Sequence, residues 1–272
     1  MAAETRFSRP GIAFGVLRER RRSILLWSLA LTAVTALYTS FFPSMADSGE
    51  AMATYMDSLP EGMSEVLGME SIATAGGYLG STVYGLLVPA LLLVFAIGTG
   101  ARLIAGQEED GTLELELTHP VARRRVLVER LVVLWTALLV LVAVVTVVVV
   151  ALAIGLDMDI GLDRILAGSA GLFLLVAGFG GVAVAAGAAT GRRAVALGVA
   201  AGLAVLAYIG DAASELLDGG AWLRTVSPWS WYLGDDPLVN GWDVQGLLLL
   251  AVVPVVAAIV GLVTFDRRDL GT

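Results

Sequence analysis

Six apolar stretches, each close to the length that crosses a bilayer, constrain this chain more than any other feature. They cover about residues 23–42, 78–101, 131–156, 165–189, 194–210 and 244–264, and apart from polar residues at their ends they hold no Asp, Glu, Lys, Arg or His. A helix rises about 1.5 Å per residue through a hydrocarbon layer of about 30 Å, so roughly 20 apolar residues suffice. Inside that layer every backbone N–H and C=O needs a partner within the protein, which a helix supplies by itself. The chain is therefore expected to be an all-α integral membrane protein with six transmembrane helices in a single domain, residues 1–272. Its composition agrees, with 57% hydrophobic and only 15% charged residues.

The charges that remain are distributed unevenly. Every basic residue is arginine, and of the 17 only Arg164 and Arg224 fall on the side opposite the two termini once six spans are threaded. Arginine is retained on the cytoplasmic side, so both termini are expected there. The formal charge of −8 then belongs to the outer surface, where acids are in excess, and does not point to a basic partner in the cytoplasm. Several chemistries are excluded. With no cysteine and one histidine, thiolate and histidine-cluster metal sites are impossible. With no lysine there is no Walker phosphate loop, so any ATP used must be bound by another chain. Charge-free spans also weigh against an ion-driven transporter, which commonly keeps a buried carboxylate or histidine. An intramembrane serine protease would need a serine–histidine pair, and Ser169 lies among glycines in the wrong order while His119 falls outside the spans.

The connections carry their own patterns. Residues 1–22 hold six arginines around Ile12 and Val16, which fits either an interfacial helix leading into the first span or a basic tail. In the outer loop 43–77, Met52, Tyr55, Met56 and Leu59 share a helical face, Asp47 and Glu50 are placed to cap it, and Ser58 with Glu61 repeats the arrangement before Gly68. Two short amphipathic outer helices are expected. Pro89 should kink the second span, and Pro254 should break the sixth. The outer loop 211–243 gathers Trp222, Trp229, Trp231, Tyr232 and Trp242, rings that favour the headgroup level and are expected to lie on the membrane interface. Gly187 and Gly191, like Gly198 and Gly202, stand four apart, a spacing that lets helix backbones approach closely.

Between the second and third spans, residues 102–130 form the most highly charged loop. Gly106, Gln107, Glu108, Glu109, Asp110, Gly111, Thr112, Leu113 and Glu114 come first, Pro120 follows, and Arg123, Arg124 and Arg125 close it. From the residues alone, two readings stand side by side: a solvated connector whose arginines fix topology, or a surface gripped by a soluble partner.

This loop resembles the G-E-E-x-x-G-T-L-E-L…P-V-S-R signature of the type-2 ATP-binding-cassette exporter permeases. The resemblance runs from Gly106 to Leu115 and from Pro120 to Arg123, with Gln107 and Ala122 departing from the usual glutamate and serine. The order of elements agrees over nearly the whole chain, and Ser227-Pro228-Trp229 and the closing Phe265-Asp266-Arg267-Arg268-Asp269 are similar to family sequences as well. What the resemblance implies is a permease subunit that pairs with a second copy or a homologous permease and engages two cytoplasmic ATPase subunits. ATP and Mg would bind in those subunits, with no cofactor in this chain. The loop 102–130 would supply a coupling helix whose acids meet basic residues of the ATPase. Membrane lipids are the other expected partners, and nucleic acid is not one. A membrane anchor or assembly factor, and an ion-coupled transporter, remain as rival readings.

Overall fold

The computed structural model describes residues 12–47, 74–112, 122–216 and 221–268. These residues include six helices long and apolar enough to cross a membrane. In chain order the helices are α1 (Ile12–Ser40), α2 (Phe42–Asp47), α3 (Ala75–Glu109), α4 (Arg123–Gly155), α5 (Leu162–Thr190), α6 (Arg193–Leu216), α7 (Ala221–Val226), α8 (Pro228–Leu233), α9 (Pro237–Asn240) and α10 (Val244–Arg267).

α5 is the hub. It packs against α3, α4, α6 and α10 along its length and against the short α8 and α9 near its start. The chemical reason is its run of small residues, which lets neighbouring backbones come within reach. A Cβ on Gly100 of α3 would stand 2.6 Å from the carbonyl oxygen of Gly180 in α5, closer than any side chain tolerates. On the other flank, Gly178 and Gly181 lie against Val253, Pro254 and Ala257 of α10. Without a hydrophobic drive between helices in lipid, such close packing is what holds a bundle together. By contrast α1, α6 and α10 expose large apolar side chains outward, among them Leu25, Leu29, Leu206 and Val255. Surfaces of this kind suit lipid or another protein and not water.

Several boundaries differ from expectation. The helix of α3 does not stop at residue 101 but continues to Glu109, and α4 begins at Arg123, not near residue 131. The connection is therefore 110–122. Charge marks where a helix leaves the membrane, and it does not end the helix. α6 likewise runs on through Asp211 to Leu216. α10 is unbroken at Pro254, whose ring is buried against α5. The basic segment from Ile12 is continuous with the first span. The two outer helices expected between residues 44 and 76 fall mostly outside the described residues. Within them, Phe42–Asp47 is helical, and the helix that Asp47 and Glu50 are expected to cap lies outside the described residues.

Pro89 acts differently from a simple kink. The turn before it, Val83–Leu87, is a π segment in which the Val88 N–H bonds to the Val83 carbonyl. Pro89 has no N–H to offer, so the Tyr84 carbonyl is left without a partner along its own helix. The Tyr232 hydroxyl donates to it at 3.1 Å. This gives Tyr232 and Trp229 a place in the core, at 3% and 4% exposure, and overturns their expected position at the headgroups. Trp229 stands edge-on to both Tyr208 and Tyr232. Trp231 is partly buried and its indole N–H donates to the Thr225 carbonyl, whereas Trp222 and Trp242 are exposed. Ser169 is a structural residue: its hydroxyl joins Tyr84 at 3.0 Å and Thr146 at 2.8 Å inside the bundle.

Candidate functional site

The signature residues are held at the arginine-rich end of the bundle, where five helix termini meet. α3 passes through a second π segment, Arg102–Gly106, and ends with Gln107–Glu109. Gly111 stops it with a left-handed backbone, φ +68°, and its N–H bonds back to the Glu108 carbonyl at 3.0 Å. The Thr112 hydroxyl donates to the Gln107 carbonyl at 3.1 Å and finishes the cap. Glycine just past a helix end is the ordinary solution to this turn. Gly106, by comparison, sits inside the helix and lies against the Arg102 and Arg193 side chains.

Two carboxylates at the C-terminal end of a helix are unfavourable on their own, because the carbonyl end already carries partial negative charge. Each is compensated by another helix. Glu109 accepts a hydrogen bond at 2.8 Å from the backbone N–H of Arg193, the first residue of α6, where a carboxylate meets the positive helix end. Glu108 forms an ion pair with the Arg268 guanidinium, both side chains being 19% exposed. Arg268 also donates to the Ala188 carbonyl in the last turn of α5 at 3.0 Å, and its own carbonyl accepts from Arg123 of α4 at 2.6 Å. Desolvation draws the Arg268 guanidinium below its ordinary pKa. A surface pair, Arg124 with Asp266 at 2.7 Å, adds a second tie between α4 and α10.

The turn between α5 and α6 completes the junction. Gly191 has φ +65° and caps α5, and a Cβ there would collide with the Arg268 guanidinium and approach the Glu108 carboxylate to 2.6 Å. Its role is thus a turn against an ion pair, not the helix-on-helix contact inferred from its spacing. Gly187 does pack helix to helix, against Ala105 and Ala196. Gly198 and Gly202 meet nothing within 4 Å and lie exposed on α6.

Among the expected residues, Gly106 to Thr112 and Arg123 are therefore brought to one place, while Leu113, Glu114 and Pro120 lie outside the described residues. Glu108 turns inward to this chain's own Arg268, while Glu109 is exposed and bonds to the start of α6 through one carboxylate oxygen. Asp110 is exposed. Sequence reasoning missed Arg268, although the closing Phe-Asp-Arg-Arg-Asp segment was a visible signal for it.

A second feature lies within the bundle. An apolar cleft of ≈ 470 Å³ separates α3 from α6, bounded by Leu93, Ile97, Gly98, Ala201, Ala204 and Tyr208, with Trp229 also against it. It was not legible in the sequence, because its lining looks like any other lipid-facing helix surface.

Comparison with curated proteins finds no match. A family model described as ABC-2 family transporter protein matches residues 16–270, which takes in every helix described above except the first few residues of α1. With six long apolar helices, no lysine for a nucleotide-binding loop of its own, and a signature segment tied into the arginine-rich end, this chain is a multi-pass membrane protein of the ABC-2 transporter family.

Proposed function

We propose that this chain is the permease subunit of an ABC exporter in a prokaryotic plasma membrane, with cytoplasmic N- and C-termini. It pairs with a second copy or a homologous permease, and cytoplasmic ABC ATPase subunits hold the ATP and Mg that drive it. The observation that carries this reading is the junction of Glu108, Glu109, Arg193, Arg123 and Arg268. Force applied to the segment 110–122 reaches α3, α4, α5, α6 and α10 through one set of contacts, which is what converting a soluble partner's motion into helix movement requires. Fixed positive charge at that end supports the cytoplasmic assignment.

The α3–α6 cleft supports an apolar or amphipathic cargo, because its walls offer almost nothing that would repay a charged group for leaving water. Gly98 lines the cleft, and it, Gly198 and Gly202 have open space where a Cβ would stand, leaving room for a helix of the second permease to approach. In the pair, two such clefts would face one another and line a passage.

The first test is a tagged purification from native membranes in mild detergent, followed by ATPase assay. An ATPase should co-purify in equal ratio. Replacing residues 110–122 by a Gly–Ser segment of equal length should remove its stimulation while membrane insertion is kept. Recovery of this chain alone from wild-type membranes would sink the permease reading and favour an anchor role.

A further inference from the structure

The signature segment and the closing Phe265–Asp269 segment are 160 residues apart at the contact that joins them, Glu108 to Arg268. Nothing local explains that contact. Arg268 follows the last residue of α10, and its guanidinium reaches across the α5–α6 turn to a carboxylate on α3. One arm serves Glu108 and the other the Ala188 carbonyl, while the Arg268 backbone carbonyl holds Arg123. The path is kept open by Gly191, where any side chain would fall on the pair. The surrounding polar atoms are withdrawn from solvent, and the second carboxylate oxygen of Glu108 is itself buried.

We infer that Arg268 is a positioning residue for coupling: its bond to Glu108 pins the end of α10 to the end of α3, so that the signature segment and the closing segment move as one body. The pin stays closed through the transport cycle. It rests on the permease reading for the word coupling, and it adds to that reading the residue by which motion reaches α10. The physical argument is that a long side chain held by two partners at fixed positions, with its own backbone gripped by a third, has lost the freedom that would make it a surface pair of little consequence. An ion pair in this setting transmits displacement because separating it would leave each charge mostly buried without its partner.

The chain contains no cysteine, so paired cysteines can be introduced without removing others. In the purified complex with its ATPase, Glu108→Gln and Arg268→Gln should each lower stimulated ATPase activity about tenfold, a change within the usual span of coupling between sites. The double variant should be no worse than the poorer single one, since both remove the same bond. Effects that multiply, or activity that is unchanged or raised, would overturn the inference. A decisive second variant is Glu108→Cys with Arg268→Cys. It should be slow with free thiols, recover when a reducible bis-methanethiosulfonate linker joins them, and slow again on reduction. A bridged protein that remains slow shows that the bond must open, and the pin is then wrong.

Should no ATPase accompany the wild-type chain, the permease reading fails separately. The pin itself is then read by electron spin resonance between labels at Asp110→Cys and Arg267→Cys in lipid nanodiscs. One narrow distance, broadened by Arg268→Gln, supports it; identical distributions overturn it.

Discussion

α5 and α6 are both rich in small residues, yet their glycines meet opposite fates. In α5, Gly178, Gly180 and Gly181 are pressed against α3, α4 and α10, and Gly171 lies against the Tyr232 ring. In α6, Gly198 and Gly202 have open space where a Cβ would go, and the same face carries Leu206 at 66% exposure. Four-residue spacing thus announces that a backbone can come close without saying whose. α5 has its neighbours within the chain, whereas α6 keeps a flat face outward beside the apolar cleft.

The strongest way to break this contrast is to fill a glycine of the hub. Gly100→Val places its Cβ against the Gly180 backbone, which cannot yield, and should cost about 3 kcal/mol or more, with near-total loss of monodisperse protein in fluorescence-detected size exclusion. Next in size is Arg268→Ala. It strands Glu108 in a mostly buried position, and since both groups keep some solvent contact the loss should be about 2 kcal/mol, below that of a fully buried pair, read as a lowered thermal midpoint. Tyr232→Phe removes the donor to the Tyr84 carbonyl and should cost about 1 kcal/mol by the same assay.

Asp236 gives a smaller and pH-dependent effect. Desolvation first, and Asp235 second, hold its carboxyl above the usual aspartate range, partly offset by Arg224. A carboxyl raised in the folded state costs stability when charged, so the penalty is present at neutral pH and fades as pH falls toward the ordinary aspartate range. Asp236→Asn, which also suits the left-handed backbone at φ +45°, should raise the thermal midpoint slightly at neutral pH, with the two proteins converging in acid. The smallest effect on folding belongs to the other side of the contrast. Gly198→Leu with Gly202→Leu should change the isolated chain by less than about 0.5 kcal/mol, yet abolish cross-linking between copies in membranes. A large loss of folded protein here would mean that the Gly198–Gly202 face of α6 has a partner within its own chain.

Much of the bundle was legible because apolar runs without charge have few alternatives in a bilayer. The ends of helices were not. Arg102 and Arg123–Arg130 were assigned to a loop on charge alone, but Gln, Glu and Arg are good helix formers, and helix-ending residues such as Gly111 fix the true boundary. The signature was found by its residues, while its inward grip was not, since Glu108 depends on an arginine far away in sequence. The aromatic cluster went astray for a related reason. Trp229 and Tyr232 follow the headgroup preference only when nothing better is offered, and the freed carbonyl of Tyr84 exists only once the turn before Pro89 widens.

That widening has a consequence for rotational phase. Each π segment of α3 fits about one more residue into a turn than a regular helix holds, setting everything after it back by roughly 100° around the axis. Two of them, at Val83–Leu87 and Arg102–Gly106, turn the last residues of α3 about 200° from where a regular helix of the same sequence would aim them. Glu108 meets Arg268 because of that accumulated rotation. A one-residue deletion in either segment would straighten the helix and leave its span in place, while swinging the carboxylate away from the guanidinium that holds it.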